Sequence, residues 1–271
     1  MVGDWQVSFR ERVDKRLDNR EKSYETGRLM REKRSEEYDA LEEVFDRSTL
    51  MIIYGLMNKG LIDEIHGVVN AGKEARVYWG KDKLGKELAI KIYLTLSAEF
   101  RKGILRCLEA DPRFKGVRRD TRSLIFAWAQ KEFKNLQQAT RAKVRVPKPI
   151  IVRNNVLIME FIGKDGLNAP SLKELPPKNP QRIYTTLLAY LKRLYGKAEL
   201  VHGDLSEYNI MVWNGHPVIF DVSQAVSVSH PMAEYLLRRD LLNLNKYFSR
   251  LGIKVLSTEE CYRQVTEHGR N

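Results

Sequence analysis

Cysteine is scarce in this chain: Cys107 and Cys261 are its two, with no C-x-x-C and no second pair. That excludes a disulfide framework and a zinc knuckle, and both thiols are expected to be inert. The histidines, His66, His202, His216, His230 and His268, show no ligand spacing, which argues against a histidine-held metal. Long apolar runs are missing too. The longest, Thr49 to Met57, falls far short of the roughly 20 residues that cross a bilayer. The first 40 residues are dense in charge, where a signal peptide is apolar. A cytoplasmic chain with no membrane partner is expected. No internal repeat or low-complexity tract occurs, and 43% hydrophobic residues over 271 positions suffice for a real core.

Acidic charge is the other shortage: 47 Lys and Arg stand against 35 Asp and Glu, giving a net charge of +12. A sequence pI near 9.6 invites anionic partners. The excess is local. Residues 1–47 carry 11 basic and 13 acidic residues, whereas residues 101–148 carry 14 basic and 4 acidic. Arg118-Arg119, with Arg101, Lys102, Arg113, Lys115 and Arg122, is denser than solubility requires. A phosphate-bearing or RNA partner competes here with a merely solvated helix face.

The pattern of residues 1–47 is that of a mixed-charge helical extension, with few apolar positions and no proline. From Asp46 onward Leu50, Ile53, Tyr54 and Met57 recur at helical spacing, and Asn58-Lys59-Gly60 supplies a stop. Strand-like runs follow at Ile65 to Asn70, Ala75 to Trp79 and Glu87 to Tyr93, with a turn at Asp82 to Gly85. The spacing of Leu124, Trp128 and Leu136, beside Ile125, Ala129 and Phe133, predicts a long helix over 121–141. Asn155 to Phe161 is a further buried strand, and the Pro-rich stretch 170–180 bridges into a mostly helical region. Strands first and helices afterwards predict α+β architecture in two lobes.

Chemistry concentrates in Leu200 to Val222, LVHGDLSEYNIMVWNGHPVIFDV. Asn214-Gly215 is a favoured two-residue hairpin turn, flanked by the apolar runs Ile210 to Trp213 and Val218 to Phe220. Folding back there brings Asn209 to within about a residue of Asp221, with Asp204 on the loop entering the hairpin. A carboxylate and a carboxamide at one rigid end suit Mg²⁺, and Asp204 would face the reacting hydroxyl. The spacing H-x-D-L-x-x-x-N followed by a strand-borne Asp matches the kinase catalytic and metal-binding loops. The plain alternative is a hairpin whose acids only cap turns.

Phosphoryl transfer also needs groups that hold the nucleotide phosphates. In Glu87 to Tyr93, Leu88, Ile90 and Ile92 share one face, which sets Lys91 on the face opposite the core strip. Glu132 lies between Trp128 and Leu136 in the buried row of the long helix, so each charge needs the other unless both reach solvent along their stems. A Lys91–Glu132 pair positioning phosphates is expected. The turn Gly67 to Val77 fits neither G-x-G-x-x-G nor G-x-x-x-x-G-K-[ST], and draws interest from lying one strand ahead of Lys91.

HGDLSEYN (202–209), IFDVSQ (219–224), GKEARVY (72–78) and WAQKEFKNL (128–136) resemble the signatures of the RIO atypical protein kinases, and the likeness runs from about residue 45 to 250. DLSEYN and DVSQ are similar to the first subfamily; the second carries an N-terminal winged helix, for which the 45-residue extension offers too little room. The resemblance implies a two-lobed, truncated protein-kinase-like fold with an antiparallel-sheet N-lobe and a mainly helical C-lobe. The expected boundaries are a charged extension at 1–47, an N-lobe at 48–162 and a C-lobe at 163–271. It further implies ATP with Mg²⁺, Mn²⁺ being an alternative ion, serine/threonine kinase and ATPase activity, and a role in maturing the small ribosomal subunit, with its precursor and ribosomal RNA as partners. Asp204 would be the catalytic acid/base, and Asn209 and Asp221 the metal ligands. Lys91 and Lys73 would contact phosphates, and Met159, Glu160 and Ile162 would line the hinge around adenine. The family is also thought to phosphorylate its metal-binding aspartate, here Asp221. One departure is Asn70-Ala71, where the family usually has Ser-Thr before Gly-Lys-Glu.

Other features narrow the choice. Gly203 replaces the arginine that pairs with a phosphorylated activation loop in ordinary protein kinases, and no A-P-E follows Asp221. After His230-Pro231 comes an apolar-striped helix, Met232 to Leu251, with a basic cluster at Arg238-Arg239, which leaves no large peptide-docking platform and favours an ATPase-like switch. A small-molecule phosphotransferase of the aminoglycoside or choline type shares H-G-D-L-x-x-x-N, but has no use for a basic segment beside the nucleotide. An RNA-binding scaffold with a vestigial pocket would not need Lys91, Glu132, Asp204, Asn209 and Asp221 together.

Overall fold

The central sheet has five strands in the order β1-β2-β3-β5-β4, every neighbouring pair antiparallel. Its strands are β1 (Glu64–Ala71), β2 (Ala75–Lys81), β3 (Glu87–Tyr93), β4 (Pro149–Arg153) and β5 (Val156–Glu160). They come from a computed structural model that describes residues 45–72, 74–94, 104–105, 111–114 and 116–267. The expected helical extension (save 45–47), the expected phosphate contact Lys73, and Arg101, Lys102 and Lys115 of the basic segment lie outside the described residues. Residues 1–51 and 52–271 form two units.

Helix α1 (Arg47–Asn58) begins where Asp46 accepts the backbone N–H groups of Ser48 and Thr49 at 3.0 and 3.1 Å, satisfying donors that the first turn leaves open. In the larger unit, β2 and β3 are joined by a turn in which Asp82 Oδ1 accepts from the N–H groups of Leu84 and Lys86. β3 is the middle strand, and six of its seven residues are buried. Here the expectation of one core face was too simple. Leu88, Ile90 and Ile92 are buried on one side, while Ala89, Lys91 and Tyr93 on the other are covered as well, because α2 (Thr121–Arg141) lies over that face. β4 was not anticipated: Pro147 and Pro149 obscured it, yet it pairs with β5 across a tight turn in which Asn154 has a φ of 51°.

Helix α2 starts at Asp120, whose side chain accepts from Ser123 N at 2.9 Å, and runs 21 residues over the predicted span. Its buried row Leu124, Trp128, Glu132 and Leu136 faces the sheet. The second lobe holds the short strands β6 (Gly163–Lys164) and β7 (Leu167–Asn168), helix α3 (Pro180–Gly196), β8 (Leu200–Val201), the hairpin β9 (Ile210–Trp213) and β10 (His216–Ile219), and β11 (Val226–Ser227). Helices α4 (Ala233–Arg250) and α5 (Thr258–Thr266) complete it. Proline at the first position of α3 suits a helix start, since its missing N–H is one the helix leaves unbonded. One apolar cluster runs from the sheet through α2 into α3 and α4, so the two lobes share a continuous core.

Candidate active site

The β9–β10 hairpin turns at Asn214 and Gly215, both at positive φ (51° and 75°), as a two-residue turn matched to strand twist requires. At its open end Phe220 N donates to Asn209 O at 3.0 Å, which sets Asp221 one residue beyond Asn209. Asp221 itself adopts a left-handed conformation, φ 56° and ψ 58°, before a 3₁₀ turn at Val222–Gln224. That turn swings its carboxylate toward the sheet, where Oδ1 accepts from Lys91 Nζ at 3.0 Å and from Ser223 Oγ at 3.0 Å. The side chain stays about half exposed (48%) to the cleft.

Lys91 also donates to both oxygens of Glu132, at 3.0 and 2.8 Å, and Tyr93 OH donates to Glu132 as well. One ammonium thus joins a strand of the first lobe, a helix and the loop after β10. Burial works against the charge on Lys91, but Asp221 and Glu132 outweigh it and hold the ammonium protonated. Lys91 in turn holds Asp221 below the usual carboxylate range. Burial pushes the Glu132 carboxyl upward, against the pull of Lys91.

Asp204 lies on the loop between β8 and β9, exposed to the same cleft. Burial of its surroundings pushes its carboxyl upward, opposed by His202 and Arg239. Gly203 has a φ of 78°, a conformation that L side chains rarely adopt, which gives a backbone reason for glycine where ordinary kinases carry arginine. Asp240, fully buried on α4, accepts Gly203 N at 2.7 Å and Leu205 N at 2.8 Å. His202 Nδ1 lies 3.3 Å from Asp204 N and its Nε2 3.3 Å from Phe220 O, so the ring bridges the Asp204 loop and the residue before Asp221. The Arg238-Arg239 cluster is spent on structure: Arg238 pairs with Glu234 and Glu259, and Arg239 donates to Gly203 O.

Lys91, Glu132, Asp204, Asp221 and Met159 line one cleft of about 310 Å³ with Asn70, Gly72 and Glu74. The side chains of two expected hinge residues, Glu160 and Ile162, are engaged elsewhere. The Glu160 carboxylate is committed to a bidentate pair with Arg145, both contacts at 2.7 Å, and to Lys148 N. Ile162 packs against Ala169 and Val218, and its carbonyl accepts from Ala169 N. Neither residue is among those lining the cleft. Glu74, quoted in the sequence merely as part of GKEARVY, faces the cleft, and burial, followed by Asp221, raises its carboxyl to about 7. Asp240 and Lys131 were missed as well; an acid within the apolar stripe of a helix and a lysine beside Glu132 were the available signals.

The donor set fits a hard cation. Asp221 and Asn209 offer oxygen at one end of a rigid hairpin, and among the described residues no group of three His, Cys, Asp or Glu could hold an ion unaided. Such a pair suits Mg²⁺ sharing its shell with phosphate oxygens. Asn209 Oδ1 now accepts from Ser206 N and Oγ at 3.0 and 2.9 Å, so ligation there requires exchange of the Ser206 hydroxyl.

The model of the RIO domain family matches residues 76–261. The chain belongs to the RIO family. It is 43% identical to the RIO-type serine/threonine-protein kinase Rio1 of Haloferax volcanii, over 82% of this chain and 76% of that one. Identity to the Rio1 of Methanocaldococcus jannaschii is 38%, over 85% and 78%. The Homo sapiens RIO1 kinase matches at 38% over 84% of this chain, which spans 40% of its length. The serine/threonine protein kinase class shared by these RIO relatives is the class of this enzyme. Among solved structures, the Rio2 kinase–ADP/Mg²⁺–phosphoaspartate complex of Chaetomium thermophilum superposes with a TM-score of 0.62 at 21% identity, over 82% of this chain and 68% of that one. The α+β, two-lobed kinase-like fold expected of a RIO protein is therefore present.

Proposed function

We propose that this RIO protein binds ATP with Mg²⁺ in the cleft between its lobes and transfers the γ-phosphoryl group to serine or threonine hydroxyls, its own included, or to Asp221 in an ATPase cycle. The observation that carries this is Lys91 bridging Glu132 and Asp221 at 2.8 and 3.0 Å. An ammonium fixed between two carboxylates is a rigid donor aimed at phosphate oxygens, and rigid placement is what phosphoryl transfer asks of a protein. Bound Mg²⁺ would neutralise phosphate charge at Asp221 and Asn209. Asp204 takes the proton of the attacking hydroxyl, helped by a carboxyl already pushed upward. Met159 borders the adenine end, and Asn70 and Gly72 border the phosphate end. In the aspartyl route a carboxylate oxygen of Asp221 bonds to the γ-phosphorus as the bond to ADP breaks, and water then hydrolyses the acyl phosphate.

The lobes divide at 48–162 and 163–271, behind a charged extension at 1–47. The physiological partner is the small ribosomal subunit precursor, met in the cytoplasm through ribosomal RNA, with the basic segment 101–148 as contact surface. Arg118 and Arg122 are exposed there, whereas Arg113, Lys131 and Arg145 are engaged within the fold. ATP turnover with and without purified precursor, using Mg²⁺ and then Mn²⁺, tests the proposal. Stimulation by precursor is expected; metal-independent turnover, or none, rejects it.

A further inference from the structure

Lys131 is fully buried, immediately precedes Glu132, and does not reach the cleft. A buried ammonium is costly unless its donors are satisfied. Lys131 Nζ donates to Ser223 O and Ala225 O, each at 2.6 Å, and lies 4.8 Å from the centre of the Trp128 ring. One helical turn on, the buried Asn135 donates through Nδ2 to Val222 O at 2.8 Å and Ala225 O at 3.3 Å. Both side chains therefore grip the carbonyls of residues 222–225, the turn that immediately follows Asp221. Among the described residues Asn135 Oδ1 has no hydrogen-bond partner, so the residue serves here through its donors.

The turn needs holding. Asp221 is in the left-handed region, which a residue with a side chain occupies when its surroundings over-determine it. Asp221 Oδ1 reaches Lys91 because of that conformation, and Lys91 is itself fixed by Glu132 on the same helix. We infer that Lys131 and Asn135 are positioning residues that clamp the 222–225 turn to α2, so that one helix sets both the phosphate-facing lysine and the metal-holding aspartate. This rests on the proposed assignment of Asp221 to metal.

Mere packing and positioning differ in one measurable respect. A packing role affects stability alone, whereas positioning of Asp221 affects the gain in nucleotide affinity that Mg²⁺ brings. Lys131→Met keeps the stem and removes the donors; Asn135→Ala keeps the lysine. A fluorescent ADP analogue titrated with and without Mg²⁺, alongside thermal unfolding, gives the test. In Lys131→Met the Mg²⁺-dependent gain should fall at least fivefold while Mg²⁺-free affinity stays within twofold, and Asn135→Ala should shift the gain in the same direction by less. An unchanged gain in either folded variant overturns the clamp, as does failure of both to fold, which would make the pair a folding element. A wild type without any Mg²⁺ gain rejects the metal role of Asp221 itself, and the clamp with it.

Discussion

Asp240 on α4 accepts the backbone N–H of Gly203 at 2.7 Å, tying the helix to the loop that presents Asp204. Its other oxygen takes Leu205 N, so the carboxylate straddles the proposed catalytic residue. Asp240→Ala strands two buried donors, and a loss of about 2–5 kcal/mol in unfolding free energy is expected from that. Asp240→Asn keeps one acceptor. Its turnover should drop about tenfold or more at nearly unchanged ADP affinity. Wild-type kcat in a folded Asp240→Asn would show that the loop holds its shape without this carboxylate.

Asp221→Ala should abolish Mg²⁺-dependent turnover and weaken binding of the Mg²⁺–nucleotide complex, because it removes the carboxylate expected to hold the ion. Asp204→Ala should abolish turnover with binding largely intact, since its contribution arises in the transition state. Turnover and fluorescent-nucleotide titration of both variants separate the roles. Wild-type turnover in Asp204→Ala removes that residue from the chemistry.

Lys91 and Glu132 should be energetically coupled. Either change alone removes the opposite charge from the other buried group, leaving Lys91 with Asp221 or Glu132 with Tyr93 OH, so a double-mutant cycle with Lys91→Met and Glu132→Gln on ATP turnover should be strongly non-additive. Simple addition of the two losses would show that they act separately.

Glu74 carries a pH signature. Its carboxyl rises from an ordinary 4.5 to about 7 through burial and then Asp221. With the folded value above the unfolded one, stability associated with the protonated form is fully present below about 4.5 and is lost as pH rises through about 7. The nucleotide-free Glu74→Gln variant should therefore gain stability over wild type across that window and hold a constant advantage above it. Denaturant unfolding at about pH 5, 6, 7 and 8 measures the difference. A gap that does not grow with pH contradicts the shift.

The basic segment should act through salt. Replacing Arg118 and Arg119 by Glu is expected to weaken association with the small-subunit precursor and flatten its dependence on salt, as fewer phosphate counterions are released. Basal ATP hydrolysis should hardly change. Parallel salt titrations with equal affinity would reduce the segment to a solvated surface.

Local pattern sufficed where a single element carries the information. The span of α2 follows from its apolar rows, and the hairpin follows from Asn214-Gly215, whose backbone preference is intrinsic to the two residues. The approach of Asn209 to Asp221 follows from pairing register alone. Even the Lys91–Glu132 contact could be anticipated, because a glutamate inside a buried helical row and a lysine that is the one basic group on its strand face have few ways to avoid the cost of burial.

What tertiary structure decided depends on chain segments far apart in sequence. Lys91 and Asp221 meet across 130 positions, and Lys131 grips carbonyls more than 90 positions away; no periodicity encodes which backbone oxygen a buried ammonium will find. Glu160 is expected at the hinge through the family resemblance, and which partner its side chain takes, Arg145 from 15 positions upstream, is a matter of packing. Nothing local marks Asp240, one of two acids in its helix, as the acceptor for Gly203 N. Sequence therefore set the elements and the chemical types of the site, through local backbone preference and the cost of burying charge. Packing alone set which charged group ended beside which, because that choice is made by whichever donor and acceptor the assembled core leaves within about 3 Å of each other.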